Sequence, residues 1–179
     1  MIALPSIKFL LFLAGSTGIF LLSRSSLTNP RSHGFYRFFA FEALLALLLV
    51  NVQFWLASPL SPAQLLSWLF LFASAFLAIH AFTLLRKMGR PVASIETTTV
   101  LVTDGAYKYI RHPLYASLLY FGWGVFLKAP TLTSAALTLA ASIFLYSTAK
   151  TEEKENLGRF GKAYADFMGK TKMFIPYLF

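Results

Sequence analysis

Apolar residues fall in five long blocks along this chain, at residues 4–23, 38–56, 63–85, 114–127 and 129–149, with short polar stretches between them. Blocks of this kind read as buried or lipid-facing helices, and four of them approach the ~20 residues that a helix needs to cross a bilayer. The fourth has only 14 residues, about 21 Å of helix, so the pattern predicts that it starts back near residue 110 and carries polar groups at headgroup depth. Lys128, Ala129 and Pro130 leave so little chain between the fourth and fifth blocks that the two must form an antiparallel hairpin. After Lys150 the spacing changes: Leu157, Phe160, Tyr164, Phe167 and Met168 recur at helical intervals among charges, the mark of an amphipathic helix on the membrane surface. Residues 171–179 turn apolar and aromatic again around Pro176, and are expected to pack back on the membrane face. The expected fold is therefore an all-α integral membrane domain over residues 1–179, with five transmembrane helices and a cytoplasmic interfacial C-terminal helix.

The connections sharpen this picture. Asn29-Pro30 marks a short turn after the first block, and the Ser58-Pro59 and Ser61-Pro62 pairs mark another after the second. Residues 88–106 form a longer polar stretch with Gly89, Pro91 and the β-branched run Thr97, Thr98, Thr99 and Val100, which reads as extended backbone lying against the membrane.

Charge orients the helices. Of the 16 lysines and arginines, 14 fall in the first loop, the third loop and the tail, and only Lys8 and Lys128 fall on the other side. Five spans with the amino end outside and the carboxyl end in the cytoplasm satisfy that asymmetry, and a prokaryotic inner membrane is the expected host. The net charge of +9 is thus mostly a topology signal, with some attraction for anionic headgroups, and is no sign of nucleic-acid binding. A 57% hydrophobic and 13% charged composition excludes an ordinary soluble domain. With no cysteine, disulfides, thiolate metal sites and a cysteine nucleophile are excluded, and no metal is expected. The first block, with no basic residue before Lys8, is long enough to remain as a span rather than be removed as a leader.

Two clusters stand out as chemistry. Tyr107, Tyr109, Arg111, His112 and Tyr115 lie within nine residues at the mouth of the fourth helix, with Pro113 suited to its first turn. Aromatic faces and a helix amino end suit a flat heterocycle and an anionic group. Glu152 and Glu153 lie 40 residues or more beyond His112, yet the hairpin returns them to the same side of the membrane. Such carboxylates complement an amine or a cationic ligand. Each cluster alone also fits a polar helix start, and only their pairing makes a site. In the spans, Glu42 is a costly charge expected to pair with Arg37 or Arg86. His80, Asn51 and Gln53 read as interhelical hydrogen-bonding residues, and Gly122 and Gly124 as helix contacts.

Taken in order, residues 101–107, then Arg111-His112-Pro113-Leu114-Tyr115, then Glu152-Glu153, then Phe160-Gly161-Lys162-Ala163-Tyr164, and Ile175-Pro176 near the end resemble the isoprenylcysteine carboxyl methyltransferase and phospholipid methyltransferase superfamily. The resemblance covers residues 86–179. It implies a small helical membrane domain that takes S-adenosyl-L-methionine from the cytoplasm and a lipophilic acceptor laterally from the bilayer. It further implies cofactor contacts from Thr99, Val100, Leu101, Val102, Tyr107, His112, Pro113, Leu114, Tyr115 and Glu152, within segments 88–115 and 150–179. Arg111, His112 and Glu153 are the candidate catalytic groups, His112 or Glu153 serving as base where the acceptor is an amine. Where eukaryotic prenylcysteine enzymes hold an arginine that orients the substrate carboxylate, this chain has Thr148, and Lys150 is the nearest cation. A leucine common one turn after the first glutamate is Asn156 here, and a tyrosine common after the Phe-Gly stretch is Phe167. Two other readings stand beside this one: an NADPH-dependent membrane reductase, because sterol reductases share an Arg-His-Pro-containing end, and a non-catalytic membrane binding protein.

Overall fold

A computed structural model describes residues 4–92 and 98–178. Six α-helices account for most of them: α1 (Leu4–Leu27), α2 (His33–Asn51), α3 (Pro62–Met88), α4 (Pro113–Phe126), α5 (Leu132–Phe160) and α6 (Lys162–Lys170). Short 3₁₀ turns lie at Val52–Phe54 and Gly105–Lys108. Local signals set the boundaries. Ser61 caps α3 by accepting from the Gln64 N–H ahead of Pro62, and Arg86 and Lys87 close its last turn before Gly89. Thr131 and Ser134 form a reciprocal box at the start of α5. That helix ends at Gly161, whose φ of +55° is the left-handed conformation that glycine tolerates.

Among the described residues, four helices are long and apolar enough to cross a membrane: Ser6–Leu27, His33–Phe54, Pro62–Met88 and Leu132–Phe160. Their outward faces carry large apolar side chains such as Leu22, Phe72, Phe76 and Ile143, all exposed to what would be lipid. The chain is an integral membrane protein. The expected fifth crossing rests on α4, which has 14 residues and begins at Pro113 rather than near residue 110. The reason is local: residues 109–112 are non-helical and pair with the tail through an isolated parallel bridge between Ile110 and Lys172. Arg111 N–H donates to the Lys172 carbonyl (2.7 Å), His112 N–H to that of Met173 (3.2 Å), and Lys172 N–H to that of Tyr109 (3.1 Å). Polar residues before the proline thus gain sheet-like partners instead of helical ones. A second departure lies beyond Lys150, where α5 runs on without a break to Phe160 and leaves only nine residues to α6.

Helix α2 packs on α5, α3 on α4, and α1 on α2. Gly15 makes that last contact possible, since a Cβ there would sit 2.7 Å from Leu45 Cδ2. Glu42 is met not as expected but by Ser16 of α1, whose hydroxyl donates to it at 2.9 Å. At the far end from the tail, the short α4 leaves carbonyls that no further turn can satisfy. Neighbouring helices supply the donors: Ser67 Oγ to Gly124 O (2.7 Å), Asn51 Nδ2 to Val125 O (3.0 Å) and Gln64 Nε2 to Lys128 O (3.1 Å). Lys128 itself is buried there, donating to Gln64 Oε1 at 3.0 Å with its ammonium 3.6 Å from the Trp68 ring centre. In a bilayer such groups have no water to fall back on. Gln53, the other expected polar residue of this region, accepts from Lys8 (2.9 Å).

Asn51→Leu, which leaves the Val125 carbonyl with the Lys128 N–H but without its side-chain donor, is expected to lower stability by about 1 kcal/mol. Unfolding in mixed micelles measures it, and an unchanged transition would show that this cap carries no net stability.

Candidate functional site

The tail, the 3₁₀ turn and the end of α5 meet below α4 around a buried ion pair. Arg111 donates from Nε to Glu153 Oε1 at 2.7 Å, and its terminal nitrogen donates to the carbonyls of Met168 (3.3 Å) and Thr171. Glu153 is 3% exposed and also accepts from Lys150 Nζ at 3.2 Å. One guanidinium therefore joins the segment before α4 to α5, to the end of α6 and to the start of the tail. Planarity and several donors in fixed directions suit arginine to this role, where lysine would reach one partner at a time.

His112 follows, itself buried, with Nε2 3.7 Å from Glu153 Oε1 and Nδ1 4.0 Å from Glu152 Oε2. Its Nε2 makes no hydrogen bond within the standard distance. The ring stacks on Tyr115 with centres 5.5 Å apart, and Phe174 of the tail lies on it at 6.2 Å. Across from it, the turn at Gly105–Lys108 delivers Tyr107. Gly105 takes a φ of +57°, and a Cβ there would be 2.6 Å from His80 Nε2. His80 accepts from the Ala106 N–H (3.3 Å), so this third-helix histidine anchors the turn and does not face the ligand space.

These elements form a small cleft, partly open to solvent, whose lining includes Leu101, Val102, Tyr107, Arg111, His112, Leu114, Tyr115 and Glu152. Thr99 and Val100 are exposed and lie outside that lining, and Pro113 is buried at the helix start behind it. Thr97, in the same β-branched run, lies outside the described residues. Glu153 stands behind the cleft, holding Arg111. Thr148 is fully buried and its hydroxyl donates to the Phe144 carbonyl of its own helix (2.7 Å). Lys150 turns to Glu153.

The lining also includes Leu85, Thr98, Asn156, Phe160, Tyr164 and Phe167, which were not foreseen as site residues. Two of them carried a usable signal: Asn156 and Phe160 follow Glu152 at intervals of four, one face of a continuous α5. Leu85 and Thr98 carried none. Burial, with Glu152 nearby, pushes the Tyr107 phenol up. Burial also raises that of Tyr164, despite a side-chain hydrogen bond with Asn156. Both phenols therefore stay protonated at neutral pH and act as donors. The cleft thus presents the Glu152 carboxylate, with His112 Nδ1 4.0 Å away, two phenol donors, an amide and aromatic walls.

Lipid-exposed apolar helices ending in an enclosed polar and aromatic cleft define a membrane protein with a site for a ligand that is part polar and part flat. Residues 65–158, just over half of the chain, match the isoprenylcysteine carboxyl methyltransferase family, and the chain belongs to that family. Among curated proteins it is similar to methanethiol S-methyltransferase 1 of Bradyrhizobium diazoefficiens, 28% identical over 68% of this chain and 43% of that protein. It is similar also to methanethiol S-methyltransferase of Crocosphaera subtropica (32% identical, 63% and 44% covered). A third relative is the protein-S-isoprenylcysteine O-methyltransferase of Tribolium castaneum (36% identical, 44% and 28% covered). The chain thus covers less than half the length of these relatives. No solved structure gives a match.

Arg111→Leu would leave Glu153 buried opposite Lys150 alone, and is expected to cost about 3–5 kcal/mol. Arg111→Lys should recover less than half of that. Thermal unfolding in detergent compares the three proteins, and a lysine variant as stable as the parent would refute the three-partner role.

Proposed function

We propose that this chain is an integral membrane methyltransferase that uses S-adenosyl-L-methionine and a lipophilic acceptor. One observation carries the reading: Tyr107, His112 and Glu152, from three separate segments, face one cleft together with Leu101, Val102, Leu114 and Tyr115. The donor set fits such a cofactor. Glu152 suits its ammonium or sulfonium, the phenols of Tyr107 and Tyr164 and the amide of Asn156 suit its polar edges, and Phe160, Phe167 and Leu85 suit a flat ring. Thr99 and Val100 would take part through their backbone, and Pro113 by setting the direction of His112. When bound, the cofactor supplies an electrophilic methyl group. The protein's task is then to hold the acceptor in line at about 3–3.5 Å and to exclude water.

Family membership and the names of the relatives support this reading over a reductase. So does the charge of the cleft, because a nicotinamide dinucleotide phosphate needs a free cation, and the guanidinium of Arg111 is held by Glu153 and two carbonyls. In this proposal the whole chain is one membrane unit, with its amino end outside, the cleft at the cytoplasmic face and α4 completing a fifth crossing with the help of its polar flanks. A prokaryotic inner membrane is the proposed location. The acceptor would reach the cleft from the bilayer. On the acceptor side, Thr148 leaves no charge, while Lys150 acts through Glu153.

Glu152→Gln is expected to weaken S-adenosyl-L-methionine binding by about 1–3 kcal/mol. Calorimetric titration of the detergent-solubilised chain measures it, with NADPH titrated in parallel. Unchanged affinity for the methyl donor would remove Glu152 from the site, and tight NADPH binding would restore the reductase.

A further inference from the structure

Resting on that reading, we propose that Asn156 and Tyr164 together hold the vicinal hydroxyls of the methyl donor's ribose, Asn156 accepting from one and Tyr164 donating to the other. The order of side chains along α5 points to this. Glu152, Asn156 and Phe160 all line the cleft and recur every four residues, so they stand on one face at steps of about 6 Å. From the start of α4 outward that face runs charged, polar, aromatic. The methyl donor has the same order: an amino-acid end with its ammonium and sulfonium, then a ribose with two adjacent hydroxyls, then a flat base. Glu152 lies beside His112, with Oε2 4.0 Å from Nδ1, which places the charged end at the start of α4. Phe160 closes the other end, in the apolar cluster that also holds Phe167 and Leu85. The ribose falls to the rung between them.

Helix α6 repeats the polar and aromatic rungs from its own side. Gly161 turns the chain after α5, and Tyr164 and Phe167, three apart on α6 with ring centres 5.8 Å apart, line the cleft as well. Burial raises the Tyr164 phenol, and Asn156 opposes that through a side-chain hydrogen bond. Such an effect is that of an amide N–H donated to the phenol oxygen. Each partner then keeps one capacity. The phenol, buried at 2% exposure and protonated at neutral pH, still has its O–H to donate, and the amide still has its Oδ1 to accept. A donor and an acceptor fixed side by side match two adjacent hydroxyls, one accepting and the other donating. The edge of a purine also offers a donor beside an acceptor. To reach this pair, however, the base would have to leave Phe160 and Phe167, one turn further along their helices.

The test titrates the detergent-solubilised full chain with S-adenosyl-L-methionine, its 2′-deoxy and 3′-deoxy analogues, and its inosyl analogue, whose base carries a carbonyl in place of the amino group. The parent should bind both deoxy analogues about 5–100-fold more weakly than the donor, the loss expected when a buried partner is left unpaired. In Asn156→Leu, and separately in Tyr164→Phe, the donor should weaken until its ratio to at least one deoxy analogue falls within about threefold of one. The penalty for the inosyl analogue should stay within about threefold of the parent's in both variants. A merely structural role for the pair would weaken all four ligands alike and leave every ratio unchanged. Failure of the parent to bind the donor would overturn the methyltransferase reading and this proposal with it. Donor binding without preference over the deoxy analogues, ratios unchanged in either variant, or a lost inosyl penalty in place of a lost deoxy penalty would overturn the ribose assignment alone. The preference of the parent requires no substitution, so it decides the matter if the variants fail to fold.

Discussion

The contact between Arg111 and Glu153 is what the rest of the architecture around the cleft depends on. Neither group tolerates burial alone, since an isolated charge costs several kcal/mol to remove from water. The solution is dense satisfaction: a carboxylate with two cations, and a guanidinium with a carboxylate and two carbonyls. Those carbonyls belong to Met168 at the end of α6 and Thr171 just beyond it, so the pair fixes where the tail turns back. Once it has turned, Lys172 and Met173 can meet the backbone of residues 109–112, and Met173 and Phe174 fall into the core beside Ile110, Tyr115 and Ala149. One electrostatic requirement thereby decides the path of three segments and the placing of His112.

The two ends of α4 obey the same rule with different outcomes. At one end, exposed carbonyls are met by Asn51, Ser67 and Gln64, and Lys128 is enclosed by Trp55 and Trp68. The amide nitrogens of Asn51 and Gln64, the Ser67 hydroxyl and the Lys128 ammonium are all drawn into structural contacts there. At the other end His112 keeps a nitrogen without a hydrogen bond, and Glu152 faces open volume. Buried polar groups are normally paired; each end of this helix leaves one unpaired atom, Asn51 Oδ1 at one and His112 Nε2 at the other, and among the described residues it is the His112 end that opens on a cleft with a carboxylate in its lining.

How much of this was written in the sequence follows from the range of the interactions. The apolar blocks and the short turn at Lys128 made the hairpin legible, and the hairpin alone brought His112 to Glu152 across 40 residues. Local periodicity could not reveal that residues 109–112 would leave the helix to pair with the tail, because their partner lies about 60 residues on. Nor could it show α5 continuing past Lys150: the apolar face narrows there, and the helix runs through Gly158 to end at Gly161. The split between Arg111 and His112 was hidden for a different reason. Adjacent in sequence and both plausible as ligands, they both reach the cleft and Glu153 Oε1, but Arg111 at 2.7 Å is committed to the ion pair while His112 Nε2, at 3.7 Å, makes no hydrogen bond.

The same argument explains the two glutamates. Residues in succession on a helix project about 100° apart, so Glu152 and Glu153 cannot both face one ligand. The helix must give one to the cleft and the other to its neighbours, and packing decides which: α5 lies against α2 and α4, and the face bearing Ala149 and Glu153 is buried. The charge of Glu153 is thus committed to holding the frame, whereas Glu152, one position back and a turn from Asn156, keeps its charge for the cleft. A doublet of acidic residues that looks redundant in the sequence is, in three dimensions, a division between building a site and using it.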